Sequence, residues 1–90
     1  MTEEKRKSIG NTKELDENIR ELVLYNDDVN TFDFVIETLV DVCGHDPLQA
    51  EQCALITHFL GKCAVKSGSF IELKPPCEEM TQRKLSVKIK

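Results

Sequence analysis

Polar and apolar positions divide the chain into an unpatterned beginning and a patterned remainder. From Met1 to Asn18 the only large apolar residues are Ile9 and Leu15, set among mixed charges. So little apolar surface cannot offset the entropy of ordering, so residues 1–18 are expected to form a flexible tail. The patterned part, 19–90, is the expected core domain. Ile19 to Tyr25 opens with alternation and ends almost wholly apolar in Leu22-Val23-Leu24-Tyr25, which predicts a strand well buried near its end. Phe32, Val35, Ile36, Leu39, Val40 and Cys43 then recur at helical spacing, with Gly44 as the stop. Asn30 is the expected N-cap of this helix, with Asp33 three residues on at the capping-box position.

A second helix opens at Asp46-Pro47-Leu48-Gln49, with Asp as the cap, Pro in the first turn and Gln at the box position. It is closed by Gly61. Lys62 to Ser67 predicts a short strand ending in a turn at Ser67-Gly68. Ser69-Phe70-Ile71-Glu72 is a further capping box. Leu73, Cys77 and Met80 follow at helical spacing, but Pro75 and Pro76 each remove a donor, which predicts a short, kinked or broken helix. Leu85 to Lys90 alternates as a terminal strand with one wet face. The order is β-α-α-β-α-β, a single small α+β domain with a three-stranded antiparallel sheet packed on helices.

Charge and composition narrow the partners. The net charge is −4, with 40% hydrophobic and 31% charged residues. An acidic chain of this kind lacks the Lys/Arg surplus that phosphate neutralisation requires, so nucleic acid is excluded as a partner and a cationic group is favoured. No apolar run approaches the roughly 20 residues that span a bilayer, so no membrane contact is expected. No apolar segment follows the charged Met1–Lys7, so no secretory signal is expected and the protein is read as cytoplasmic. Cys43, Cys53, Cys63 and Cys77 fit no zinc spacing and are expected to be reduced and mostly buried.

The chain carries no phosphate loop, no nucleophile elbow and no His-Glu-x-x-His. No catalytic residue is expected and the protein is read as no enzyme, with no metal and no cofactor. His45, at the Gly44-His45-Asp46 corner, is expected to be a solvated turn residue. His58, near the end of the second helix, reads as a half-buried helix histidine.

The polar triplet Asn26-Asp27-Asp28 sits where a buried strand stops and a helix is about to begin. It reads equally as a plain turn or as a binding site built on a rigid base. If the end of the second helix packs beside it, His58 meets the triplet. Two Asp and one His could begin a metal site, but adjacent side chains at a strand end diverge, and a cationic group such as an ammonium fits the acceptors better.

The residues Leu24-Tyr25-Asn26-Asp27-Asp28, then Phe34-Val35-Ile36-Glu37, then Gln52 to His58 and Gly61-Lys62, resemble the ClpS family. These are adaptors that deliver N-degron proteins to the Clp unfoldase-protease. The likeness is continuous from about Leu22 to Lys62. It implies the same fold and a pocket that captures a protein's first residue when this is Phe, Leu, Trp or Tyr. By position, Asn26, Asp27, Asp28 and His58 would surround the free α-amino group. Val35, Ala54, Thr57 and Leu85 would line the side-chain pocket, and Phe32 stands where the family usually has a Met gatekeeper. Ala54 and Thr57 replace larger apolar residues of better-known members, which implies a wider pocket. The resemblance further implies a monomer whose partner is the N-terminal domain of a ClpA/ClpC-type AAA+ unfoldase, with the tail free to enter the unfoldase channel. The alternative from the same fold is a structural interaction domain like the C-terminal domain of the ribosomal stalk protein, using a helix face and leaving the triplet idle.

Overall fold

The computed structural model describes residues 18–90. The tail expected over 1–18 lies, but for its last residue, outside them. The elements are β1 (Arg20–Tyr25), α1 (Phe32–Cys43), α2 (Pro47–Leu60), β2 (Lys62–Gly68), α3 (Phe70–Gln82) and β3 (Ser86–Ile89). This is the expected β-α-α-β-α-β order. The strands form one three-stranded antiparallel sheet of order β2-β1-β3.

The apolar end of β1 explains its central place. Leu22 and Leu24 are fully buried and pack with Leu39 and Cys43 of α1, Ala50 of α2, and Leu73 and Met80 of α3. Each large side chain so buried contributes roughly 1.5–3 kcal/mol. Alternation sends Glu21, Val23 and Tyr25 to the opposite face of the sheet. Helices α1 and α2 both stop at a left-handed glycine, Gly44 at φ 74° and Gly61 at φ 95°. The Asp46 carboxylate accepts from Gln49 N at 2.8 Å and so caps α2.

Three expectations fail for identifiable reasons. The cap of α1 is Thr31, whose Oγ1 accepts from Phe34 N at 3.1 Å, and not Asn30. Asn30 is one residue too early, and its side chain is engaged elsewhere. Helix α3 runs unbroken from Phe70 to Gln82 through Pro75 and Pro76. The carbonyls deprived of a donor belong to Ile71 and Glu72, both exposed residues, where solvent can take the place of the missing donors. The reciprocal bonds of Ser69 and Glu72 fix the start of that helix. Gly68 leaves room for them, because a Cβ there would lie 2.7 Å from Glu72 Oε1.

His45 is the third correction: it is buried, with 5% of its surface exposed, and not solvated. The register of β1 against β2 skips Val65, which forms a bulge. The Val65 carbonyl accepts from His45 Nε2 at 2.6 Å, so the α1–α2 corner is pinned to the bulge. All four cysteines are free thiols, with Cys43 buried and the others half-buried. Burial pushes the Cys43 thiol up to about 11, against the opposing charge of Lys66 and with a further push from Cys53. Burial and then the neighbouring Cys53 do the same for Cys63, also to about 11. Both are protonated at neutral pH. Among the described residues no helix is long and apolar enough to cross a membrane.

Candidate functional site

Beyond Tyr25 the strand ends and the chain turns through Asn26-Asp27-Asp28 into α1. The first link outward is a backbone bond, Asn26 N to the Gly61 carbonyl at 2.9 Å. It sets the triplet beside the C-terminal end of α2, where His58 lies in the last turn. A cavity of about 400 Å³ opens at this junction.

Its polar end holds Asn26, Asp27, Asp28 and His58, and its apolar side holds Phe32, Val35, Ala54, Thr57 and Leu85. Every residue expected to bind the amino group or line the pocket therefore borders the same cavity. The four elements that deliver them are the end of β1, the first turns of α1, the second half of α2, and the residue before β3. Ala54 and Val35 reach the wall from helical positions that also face the core. Ala54, Thr57 and Leu85 are nearly inaccessible, at 3%, 5% and 5% exposed. Thr57 Oγ1 donates to the Cys53 carbonyl at 2.8 Å, so its hydroxyl proton is already used within the helix. Phe32 is the first residue of α1 and 39% exposed, which puts it at the mouth.

The polar side chains divide into a built part and an open part. Asp27 Oδ1 accepts from Val29 N and from Asn30 N, each at 2.9 Å, and Oδ2 accepts from Asn30 Nδ2 at 3.0 Å. Partial burial raises the Asp27 pKa, but the bonds from Asn30 and Val29 outweigh it and hold the carboxyl below its ordinary value. Asp27 is thus a fixed negative charge that shapes the turn. Asn26, Asp28 and His58 are exposed, and His58 is not the half-buried residue its helix position suggested. Its ring stands edge-on to Phe59, with centroids 4.9 Å apart.

Sequence reasoning missed Leu24, Tyr25 and Asn30, which also line the cavity. Asn30 is the informative one. Its side-chain amide donates both to Asp27 and to the Lys84 carbonyl, the latter at 2.9 Å. Two cap-competent residues in a row, Asn30 and Thr31, were the available signal that one of them was free for another task.

The arrangement is an α+β domain whose central strand opens into a cavity with an anionic rim and an apolar wall. The family model described as ATP-dependent Clp protease adaptor protein ClpS matches residues 17–88. The chain belongs to the ClpS family of adaptor proteins. No curated protein matches the chain closely enough to count as a relative. Among solved structures, that of Agrobacterium tumefaciens ClpS2 bound to L-phenylalaninamide is similar with a TM-score of 0.77 and 18% identity. The match covers 81% of this chain and 95% of that one. At this identity the likeness speaks for the fold.

Proposed function

We propose that the protein binds the free N-terminus of cytoplasmic proteins whose first residue is Phe, Leu, Trp or Tyr, and delivers them to the N-terminal domain of a ClpA/ClpC-type unfoldase. The observation that carries this reading is the meeting of Asn26, Asp28 and His58 with an apolar wall in one cavity of about 400 Å³. The ligand of the Agrobacterium protein, an amino-acid amide, has the same two ends: a free amino group and a benzyl side chain.

The chemistry is complementary. An α-amino group with a pKa near 7.7–8.0 is substantially protonated at neutral pH. The fixed charge of Asp27 and the open carboxylate of Asp28 favour that cation further. Asn26 Oδ1 and Asp28 accept from the ammonium, each charge-assisted bond contributing roughly 1.5–3 kcal/mol. His58 offers a ring nitrogen as a further hydrogen-bond acceptor for the ammonium. The side chain enters between Val35, Ala54, Thr57 and Leu85, while Phe32 covers the mouth. Burying it adds roughly 1.5–3 kcal/mol, and the sum after association costs is about micromolar. An internal Phe has no ammonium to offer, so the rim discriminates by the acceptors it would leave unpaired. A helix-face interaction module of the ribosomal-stalk kind has no use for this cavity.

Fluorescence anisotropy with a labelled peptide beginning Phe-Gly-Gly tests the reading. The free peptide is expected to bind and its N-acetylated form to lose at least about tenfold in affinity. Asp28→Ala and His58→Ala should each weaken binding by about tenfold while unfolding as cooperatively as the parent. Equal affinity for the free and acetylated peptides would sink the proposal.

A further inference from the structure

If the first residue of a substrate occupies the cavity, the chain behind it must leave along the surface. A second depression adjoins the cavity and shares Tyr25 and Leu85 with it. It runs beside β3 and is bordered by Lys62, Lys88 and Lys90.

The register explains why these lysines stand together. Tyr25 is opposite Lys62 on β2 and Ser86 on β3, and Val23 is opposite Lys88. Glu21 and Lys90 exchange both backbone bonds, at 3.1 and 2.8 Å. Residues directly opposite share a face, so all three lysines lie on the side of the sheet turned away from the core leucines. All three are exposed. In a chain of net charge −4, this face carries a local positive excess, with Glu21 its nearest acid on β1. The ion pairs among the described residues are made by Arg83 and not by these lysines.

The backbone adds a direction. In an antiparallel pair, residues alternate between bonded and non-bonded positions. The bonded pair of Glu21 and Lys90 makes Val23–Lys88 and Tyr25–Ser86 the other bonded pairs. The N–H and C=O groups of Val87 and Ile89 therefore point away from β1, to the outer edge of the sheet. No described strand borders that edge, since the sheet order ends at β3. An extended chain placed there finds main-chain partners on one side and lysines beside it.

We infer that the segment following the first residue of the substrate lies extended along the free edge of β3, and that Lys88 and Lys90 favour acidic side chains in it. This rests on the proposed function. The substrate it selects has a cationic head and an anionic continuation, the mirror of an acidic rim beside a basic strip. At about 3.3 Å per residue, the length of β3 places the favoured acids about three to six residues from the terminus.

The test uses the full chain and three labelled peptides that begin Phe-Gly-Gly. They continue with two Glu, two Lys or only Ser and Gly at about positions four to six. At low ionic strength the acidic peptide is expected to bind about three- to tenfold more tightly than the basic one, and the ratio should shrink as salt is added. In Lys88→Glu/Lys90→Glu the ratio should invert, and in the milder Lys88→Gln/Lys90→Gln it should approach one. If the neutral peptide fails to bind, the proposed function falls and this inference with it. If the neutral peptide binds but the acidic and basic ones are equal, or the basic one is preferred, this inference alone is overturned. Equal binding of the acidic peptide and its N-acetylated form also overturns it, because the strip would then serve an independent anionic partner.

Discussion

The side-chain amide of Asn30 donates to the main-chain carbonyl of Lys84 over 2.9 Å, joining residues 54 positions apart. The same amide donates to Asp27 Oδ2 at 3.0 Å. One end of this bridge is the turn that carries the acidic rim. The other is the turn between α3 and β3, where Lys84 takes a left-handed φ of 72° and delivers Leu85 to the cavity wall. Rim and wall are therefore held at a fixed separation. Asn30→Ala removes both bonds and is expected to cost about 1–2 kcal/mol in urea unfolding. It should also weaken Phe-peptide binding although Asn30 needs no contact with the ligand. Unchanged affinity in a variant that is measurably destabilised would show that the bridge does not position the cavity.

Asp27 gives a pH signature. Its folded carboxyl titrates below the ordinary value, despite partial burial, because Asn30 and Val29 donate to it. A depressed folded pKa means stability that is complete above the ordinary carboxylate value and is lost as pH falls through the lower folded one. Asp27→Asn should therefore be less stable near neutrality and show a flatter loss of stability between about pH 5 and about pH 3. Parallel stability–pH curves for the two proteins would contradict this assignment.

The small side chain of Ala54 sets the room on the α2 side of the cavity, where it is 3% exposed. Ala54→Met enlarges a nearly buried side chain that borders both cavity and core, so stability should fall by about 1–3 kcal/mol. Affinity for a Trp- or Phe-initiated peptide should fall by about tenfold, and for a Leu-initiated one by less. Competition between the peptides on parent and variant reads this directly; an equal loss for all would place Ala54 away from the side chain.

His45 is predicted to act in folding and not in binding. Its removal by His45→Phe leaves the Val65 carbonyl of the bulge without its donor in a buried place. The expected cost is about 1–3 kcal/mol, measured by urea unfolding, with peptide affinity preserved below the transition.

Much of this was readable along the chain because the signals were local. Alternation in Ile19–Tyr25, the Asp46-Pro47 start, the Ser69/Glu72 box and the glycine stops each report on a few neighbouring residues. What could not be read depended on distant partners. Asn30 looked like a cap because its bond to Lys84 closes only in three dimensions. His45 looked solvated because the Val65 bulge that buries it lies 20 positions away. Pro75 and Pro76 looked like breakers because local rules do not say that the orphaned carbonyls belong to exposed residues. The site was more legible than these, since its residues cluster at the end of one strand and along two consecutive helices.

Leu24, Ala54, Thr57 and Leu85 belong both to the cavity and to the least accessible part of the domain, none of them more than 5% exposed. The surface a ligand would touch is thus the outer skin of the same interior that keeps the chain folded. Any occupant of that surface is coupled to unfolding, and saturating it at 100 times its dissociation constant would add about 2.7 kcal/mol to stability. The reverse also holds: a substitution there that retunes which side chain fits spends from a reserve of only a few kcal/mol, so taste and durability in this domain cannot drift apart freely.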